Sequence, residues 1–339
     1  MRPTRKFSIH FLSNGAAPMT MISEASPDLP RELSKLFKVF YAPKALIGFT
    51  ANTHTKYEIA ISHLRYYLGH EPTIDDLDDD TIAAWMRWMT TDGMGYDATK
   101  PPGLGLSPHT ANSYGSKIVA MWGLLGRKNI AGDLPFVRRL RAPRRSPIGW
   151  SDDELRILFK ACSELPGSYC GIPARLWWVC MHSIILQTGE RIGALLQCEW
   201  QNYNKHTRVL RRPAEIRKWK MEDMTTILDA DVAFGLELIR YPERNLIFPF
   251  PFHRSTLWNH HRRILQNAGL PDDRLHMFHC ERKSSGSKVK SLGGDAQRHL
   301  GHQDAATTDR YMVPEIVGEE FDTSELIRNF SIRDYLNAA

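Results

Sequence analysis

The chain has 339 residues, of which 42% are hydrophobic and 24% are charged. These values are typical of a globular protein with enough apolar mass to build cores, and the length predicts two domains. The sequence contains no run of about 18 apolar residues, and its N-terminal apolar run is short and interrupted. We therefore expect neither a membrane span nor a signal peptide.

The net charge of +6 is unevenly distributed along the chain. Residues 138–145 read RRLRAPRR, whereas residues 315–325 read EIVGEEFDTSE. A basic block of this kind indicates either a polyanionic partner or a solvated face. The five cysteines are odd in number and lack C-x-x-C spacing, which predicts reduced thiols in a cytoplasmic protein.

The first part of the chain predicts an arm followed by a small helical domain. Residues 1–45 contain Gly-Ala-Ala-Pro, Ser-Pro and Leu-Pro breaks, so we expect a weakly ordered arm. Apolar residues then recur at helical spacing in segments that begin at Thr53, Thr81 and His109. These segments predict a helical domain over residues 46–135.

The segment LPFVRRLRAPRRSPIGW holds three prolines and five arginines and shows no amphipathic period. It predicts an extended basic linker at residues 136–149, with a second domain at 150–339. Ser151 and Glu154 have the spacing of a capping box at the start of that domain.

A nearly all-apolar helix in the second domain is expected to end at Gly189. Strand-like pieces follow at residues 207–211, 215–218 and 224–228, and helices resume from there to the end. The predicted fold class is therefore mainly α with a small antiparallel sheet (α+β).

A few polar residues near predicted helix ends could carry chemistry. Arg191 follows the Gly189 stop, where it is either an ordinary helix-terminal charge or a rigidly held phosphate ligand. His279 and Arg282 are three residues apart and share one face of a helix.

Near the end of the second domain, Gly301 is expected to end one helix and Asp304 to cap the next. Tyr311 follows Leu-Gly-His by nine residues and is either a packed aromatic or a nucleophile.

A zinc site is an alternative interpretation of the histidines. His276 and His279, His299 and His302, and nearby Cys280 are residue types that bind zinc. Their spacing is not that of a known zinc finger, and a helix presents one histidine pair on each face. We therefore expect no metal and no cofactor.

In chain order these motifs resemble the tyrosine recombinase (phage integrase) family. The set consists of QTGERIGALLQCEW, a basic hairpin, His-x-x-Arg, and Leu-Gly-His with a tyrosine nine residues later. The resemblance covers roughly residues 50 to 315. It implies a helical DNA core-binding domain at 46–135 and a tyrosine-recombinase catalytic domain with a C-terminal tail at 150–339.

The resemblance also implies the catalytic residues. Transferred by position, they are Arg191, Lys218, His279, Arg282, His302 and Tyr311, with Lys220 as the second choice for the lysine. Glu281 departs from the family pattern, which has an apolar residue there. The interval from Arg282 to His302 is also a few residues short.

A recombinase of this family joins DNA through a covalent 3′-phosphotyrosine without metal or ATP. A phenol has an unperturbed pKa of about 10, so a nucleophilic tyrosine needs a cationic site and a base. The implied roles are phosphate neutralisation for the two arginines, proton acceptance for His279 and leaving-group protonation for the lysine. His302 would bind the phosphate.

The implied partner is double-stranded DNA that carries specific recombination sites. A basic linker and the third N-terminal helix could contact its phosphates; the candidate residues are Lys117, Arg127, Lys128, Arg138, Arg139, Arg141, Arg144 and Arg145. The resemblance also implies a homo-tetramer on DNA, with the C-terminal tail docked in trans, in a cytoplasmic and nucleoid-associated mobile-element enzyme.

Two other activities remain open from the sequence. A type IB topoisomerase-like strand transferase would share the same catalytic residues and relax DNA as a monomer. A catalytically degenerate DNA-binding protein would keep the fold and lose the chemistry.

Overall fold

The computed structural model describes residues 29–93, 103–218, 222–241 and 243–318. The chain divides into two units, residues 1–144 and residues 145–339, and the described part of each has its own hydrophobic core. Most described elements are helices, and the described strands form small antiparallel sheets. The predicted fold class is confirmed. Within the described ranges, no helix is long and apolar enough to cross a membrane.

The regular secondary structure in the described part of the first unit is helical. Its helices are α1 (Leu33–Leu36), α2 (Ala42–Ala45), α3 (Ala51–Leu68), α4 (Asp79–Thr91) and α5 (Pro108–Arg127), with a π-helical turn at Phe37–Tyr41. Helix α5 packs against α3 and α4, and this packing buries Trp85, Ile118 and Trp122. Helix α4 begins two residues before the predicted Thr81, because the Asp78 carboxylate accepts a hydrogen bond from Thr81 N over 2.8 Å and caps the helix.

The prediction of a weakly ordered arm up to residue 45 is wrong for residues 33–45, which are helical. Leu33, Leu36, Phe37, Phe40 and Tyr41 recur at helical spacing, and all five are buried in the core of the first unit. That burial stabilises a segment whose flanking prolines suggested a loop. Residues 1–28 of the predicted arm lie outside the described residues.

The predicted linker is extended, and side chains of the first unit hold its first part. Asn112 on α5 binds Leu140 twice: its Nδ2 donates to Leu140 O over 2.9 Å, and its Oδ1 accepts from Leu140 N over 2.8 Å. Asp79 accepts from Phe136 N over 2.7 Å, and His109 Nε2 lies 3.1 Å from Pro143 O. These contacts fix the backbone of residues 136–143.

In the second unit, α7 is the central helix. The helices of its described part are α6 (Asp152–Ser163), α7 (Ala174–Thr188), α8 (Ile192–Leu195), α9 (Ala230–Leu238), α10 (Arg254–Asn267), α11 (Phe278–Ser291), α12 (Ala296–Leu300), α13 (Ala305–Asp309) and α14 (Pro314–Val317). The predicted capping box is present at α6, where Ser151 and Glu154 bind each other's backbone N–H groups. Helix α7 packs against α6, α9 and α11, which explains its nearly all-apolar sequence.

The strands of the second unit form two small antiparallel sheets. Strands β1 (Ser168–Tyr169) and β2 (Ile172–Pro173) pair with each other, and β4 (Val209–Arg212) lies between β3 (Tyr203–Asn204) and β5 (Met224–Ile227). The prediction of a strand at residues 215–218 is wrong, because Ala214–Ile216 form a 3₁₀ turn. Pro213 precedes this turn and supplies no backbone donor for a strand ladder.

The five cysteines all lie in described residues of the second unit and are free thiols. Four are buried and one, Cys170, is exposed. Free side chains at all five positions agree with the prediction of reduced thiols.

Candidate active site

Tyr311 lies opposite a histidine of the same chain. Tyr311 lies in the turn between α13 and α14, and His279 lies in the first turn of α11. The distance from the Tyr311 hydroxyl oxygen to His279 Nε2 is 2.7 Å, and the two rings meet edge-on with centroids 5.0 Å apart. A hydroxyl that donates to an imidazole over this distance has the geometry of a nucleophile with its general base.

Arg282 lies one turn further along α11, and its side chain is almost fully buried. Its guanidinium donates to Gly189 O at the end of α7, and to Leu300 O at the end of α12 over 2.6 Å. Carbonyl groups at helix ends have no partner within their own helix, so they are available to anchor this side chain. Arg282 Cζ is thereby held 5.8 Å from the centroid of the Tyr311 ring.

The predicted glycine stops make this anchoring possible. Gly189 and Gly301 both adopt left-handed backbone conformations, with φ of +59° and +60°, at the ends of α7 and α12. A side chain at Gly301 would also collide with Arg217.

His302 packs against Tyr311 from the other side, with ring centroids 4.5 Å apart. Arg282 Nη2 lies 3.2 Å from His302 Nε2, and Thr308 Oγ1 lies 3.1 Å from His302 Nδ1. A guanidinium only donates, so His302 Nε2 accepts and His302 Nδ1 carries the proton that it donates to Thr308. Asp304 caps α13 as predicted, which places Thr308 opposite His302.

A buried carboxylate, Glu190, balances the charge of the arginines. Its Oε2 accepts from Arg217 Nε over 2.8 Å, and its Oε1 accepts from Arg191 N over 2.8 Å. Arg282 Nη1 and Arg212 Nε lie 4.0 Å and 3.7 Å from the same carboxylate. Burial opposes ionisation, but these cations, Arg217 above all, hold the pKa of Glu190 below its ordinary value.

The sequence interpretation missed Glu190 and Arg217. Arg217 comes from the turn after β4, so its contact with the end of α7 joins residues that are 27 positions apart. The one sequence signal was the position of Glu190 between the predicted helix stop and Arg191.

Arg191 lies at the start of α8 and is half-buried. Its positive charge contributes to the lowered pKa values of His279, His302 and Arg282, so it acts on the same site. Burial is the larger cause: it and the neighbouring cations lower the pKa of each histidine to about 4 and that of Arg282 to about 10. Both imidazoles are therefore neutral at pH 7, and Arg282 stays charged.

The lysine candidates lie in the connection between β4 and β5. Lys218 occupies an exposed turn directly after Arg217, whose guanidinium is fixed on Glu190. Lys220 lies outside the described residues. Among the predicted catalytic residues, the structure thus brings Arg191, His279, Arg282, His302 and Tyr311 together, with Lys218 on the adjoining hairpin connection.

The predicted DNA-binding residues occupy described positions in both units. Seven of them are exposed: Arg127, Lys128, Arg138, Arg139, Arg141, Arg144 and Arg145. Lys117 is half-buried on α5, where burial and the nearby charge of Lys56 lower its pKa. Lys56, an exposed residue of α3, is therefore a further basic residue near Lys117 that the sequence interpretation missed.

The residues of the zinc alternative bind different protein groups. His276 pairs with Asp273, His299 Nε2 contacts Ser285 Oγ over 2.7 Å, and Cys280 Sγ contacts Ile148 O. His279 and His302 face Tyr311 and Arg282, as described above. The structure does not gather these five side chains around one point.

Comparison with known proteins supports this architecture. No protein-family model and no curated protein matches the sequence. Solved structures do match: a lambda integrase fragment (residues 75–356) in a dimer bound to a COC′ core site has a TM-score of 0.62 at 18% identity. The match covers 86% of this chain and 98% of that one.

Two further structures match over similar lengths. The Tn1549 transposon integrase in complex with circular intermediate DNA has a TM-score of 0.63 at 13% identity, over 89% of this chain and 100% of that one. The XerH site-specific recombinase bound to difH substrate has a TM-score of 0.58 at 18% identity, over 84% and 80%. The chain therefore has the fold of the tyrosine recombinases.

Proposed function

We propose that this protein is a site-specific DNA recombinase or integrase that cleaves and rejoins duplex DNA through a covalent 3′-phosphotyrosine at Tyr311. The observation that carries the proposal is the 2.7 Å contact between the Tyr311 hydroxyl and a neutral His279, next to the buried guanidinium of Arg282. This combination supplies a nucleophile, a base and a fixed positive charge within one site.

The proposed reaction assigns a role to each residue. The Tyr311 oxygen attacks the phosphorus while His279 takes the phenolic proton. Arg191 and Arg282 neutralise the charge that develops on the non-bridging oxygens, and their fixed positions make that stabilisation strong. The bond from phosphorus to the 5′-oxygen breaks; that oxygen keeps the bonding electron pair and takes a proton from the ammonium group of Lys218 or Lys220.

The reverse reaction requires no metal or ATP in this proposal. The phosphotyrosine keeps the phosphoester bond, so a 5′-hydroxyl can attack it and restore the DNA. His302, which the structure places on Arg282 through Nε2, would exchange that contact for the phosphate when DNA binds.

Exposed basic residues support duplex DNA as the partner. Arg138, Arg139 and Arg141 lie on a segment whose backbone is held by Asn112, so they reach solvent from fixed main-chain positions. Phosphate contacts of this kind position a protein on DNA, while base contacts give sequence choice. We propose that the DNA carries specific recombination sites, because a site-specific recombinase shares this fold.

A homo-tetramer on paired sites completes the proposal. Lambda integrase has been solved as a tetramer bound to a Holliday junction, and it shares this fold with a TM-score of 0.61. The segment proposed to dock in trans begins after α14, and residues 319–339 lie outside the described residues. A cytoplasmic, nucleoid-associated location goes with this activity.

The experiment is covalent trapping on DNA. The protein is incubated with a library of nicked duplexes whose central sequence is randomised, and protein–DNA adducts are recovered under denaturing conditions and sequenced. We expect wild type and the control Tyr241→Phe to form adducts enriched in one sequence, and Tyr311→Phe to form none. An adduct that persists in Tyr311→Phe would refute the nucleophile assignment.

The same assay separates the alternative activities. Adducts without sequence enrichment, together with relaxation of supercoiled DNA, would indicate a topoisomerase-like enzyme. DNA binding without any adduct would indicate a degenerate DNA-binding protein.

A further inference from the structure

A second polar cluster lies in the core of the second unit, outside the candidate active site. It consists of His182 on α7, His261 on α10 and Glu281 on α11, and each of these side chains is 0% exposed. One donor atom from each lies within 4.8 Å of the others. His182 Nδ1 is 2.8 Å from Glu281 Oε2, and His261 Nε2 is 3.8 Å from Glu281 Oε1.

Most of the polar atoms in this cluster have no hydrogen-bond partner within the described part of the chain. These atoms are His182 Nε2, both ring nitrogens of His261, and Glu281 Oε1. A buried polar atom without a partner costs free energy, and a buried carboxylate costs more than a neutral group. An ion pair between His182 and Glu281 would satisfy one nitrogen and one oxygen. Both ring nitrogens of His261 would still have no hydrogen-bond partner within the described residues.

Aromatic rings surround the cluster. Trp178 stacks on both His182 and His261, with centroids 5.5 Å and 5.8 Å apart, and Phe278 stacks on His261 with centroids 4.1 Å apart. The buried thiol of Cys162 interacts with His182, but the rings offer no polar partner to His261 or to Glu281 Oε1. Those unsatisfied atoms therefore cost close to their full desolvation penalty.

We propose that His182, His261 and Glu281 bind a divalent transition-metal ion of the zinc class. Two imidazoles and a carboxylate are a common zinc donor set. Zinc–ligand bonds of about 2.0–2.1 Å place neighbouring tetrahedral ligand atoms about 3.3 Å apart. The separations of Glu281 oxygens from His182 Nδ1 and His261 Nε2, 2.8 Å and 3.8 Å, lie on either side of that value.

The carboxylate is oriented to supply two donor atoms. Glu281 Oε2 faces His182 and Glu281 Oε1 faces His261, so binding through both oxygens gives four donor atoms from three side chains. All three side chains are fully buried, so the ion would be structural and closed to substrate, unlike the open site of a metal catalyst. The ion would also neutralise the buried carboxylate in a region of low dielectric constant.

The ion would join three helices behind the active site. Its ligands come from α7, α10 and α11, and Glu281 directly precedes Arg282 on α11. The metal is a structural element in this proposal and takes no part in the DNA reaction, which distinguishes it from the zinc alternative built on His276, His279, His299 and His302. The sequence did not predict this site, because the three proposed ligands are 20 to 99 positions apart.

The test measures metal content and stability in the full-length protein. Elemental analysis after exhaustive dialysis is expected to find about one zinc ion per chain in wild type. The matched control is His260→Gln. His260 precedes His261 on α10, but its ring contacts Tyr169 and is not part of the cluster. We expect that control to retain the metal, and His261→Gln and Glu281→Gln to lose it.

A second measurement keeps the test valid if these variants fold poorly. Wild-type protein stripped with a chelator is titrated with zinc and with magnesium, and its Tm is recorded. We expect Tm to rise with zinc and to be unaffected by magnesium, because binding to the native state alone stabilises it. Two results would overturn the proposal: wild type that holds no zinc and shows no Tm shift, or zinc that is lost in His279→Ala and kept in His261→Gln.

Discussion

Ser287 Oγ accepts a hydrogen bond from Val313 N over 2.8 Å and so ties the turn after Tyr311 to α11. The same hydroxyl lies 3.5 Å from Tyr311 O, and Ser287 is fully buried. Helix α11 also carries His279 and Arg282. The proposed nucleophile and the groups proposed to activate it are therefore connected through one serine hydroxyl.

Replacing this serine should slow the reaction without weakening DNA binding. In Ser287→Ala, Val313 N loses its partner and the Tyr311 hydroxyl is no longer fixed relative to His279. We expect adduct formation to slow by roughly tenfold to a hundredfold, the scale of a misplaced nucleophile, at unchanged duplex affinity. Single-turnover kinetics measure the rate, and Ser291→Ala, which removes an exposed hydroxyl of the same helix, serves as the control.

The contact between Tyr311 and His279 within one chain predicts cleavage in cis. Tyr311→Phe lacks the nucleophile and Arg191→Ala lacks a phosphate ligand, so a mixture of the two contains no protomer with a complete site. We expect the mixture to form no adduct. If the mixture forms adducts and neither variant does so alone, Tyr311 acts in a neighbouring protomer.

The pH dependence of cleavage should reflect the lowered pKa of His279. Burial, with the charges of Arg282, Lys283 and Arg191, lowers that pKa to about 4, and a general base works in its deprotonated form. The rate is therefore expected to stay level as pH falls from about 8 to about 6.5, and to decline only below the ordinary histidine value. Single-turnover adduct assays at constant ionic strength measure this profile, and a half-maximal rate at pH 6.5 or above would contradict it.

The arginines of the basic segment should act as phosphate contacts. Combined substitution of Arg138, Arg139 and Arg141 by alanine should weaken binding to all duplexes alike and reduce the slope of log K against log salt by about 2.7, or 0.9 for each contact. Fluorescence anisotropy at several salt concentrations measures that slope. Arg156→Ala, which removes an exposed arginine of α6, is expected to leave it unchanged.

Local signals in the sequence predicted much of the candidate site. The glycine stops at residues 189 and 301, the cap at Asp304 and the shared helix face of His279 and Arg282 all depend on neighbouring residues, and each is confirmed. The resemblance to recombinases then supplied the order of the catalytic residues, and the fold is confirmed as well.

Contacts between distant segments could not be predicted in the same way. No role was assigned to Glu190 from the sequence, because its partner Arg217 comes from a turn that was predicted to be a strand. Glu281 looked like a departure from the family pattern, and the structure buries it against His182, a residue of another helix. Both glutamates directly precede an arginine of the candidate site. Their partners lie on distant segments, so their roles cannot be predicted from neighbouring residues.

The hydrogen bonds that hold the basic segment have a consequence for engineering the proposed DNA binding. Asp79, His109 and Asn112 all bind main-chain atoms of Phe136, Leu140 and Pro143. The path of the segment is thus independent of the side chains at positions 138, 139 and 141. Substitutions at those positions can therefore tune the strength of phosphate binding while the scaffold that carries them stays intact.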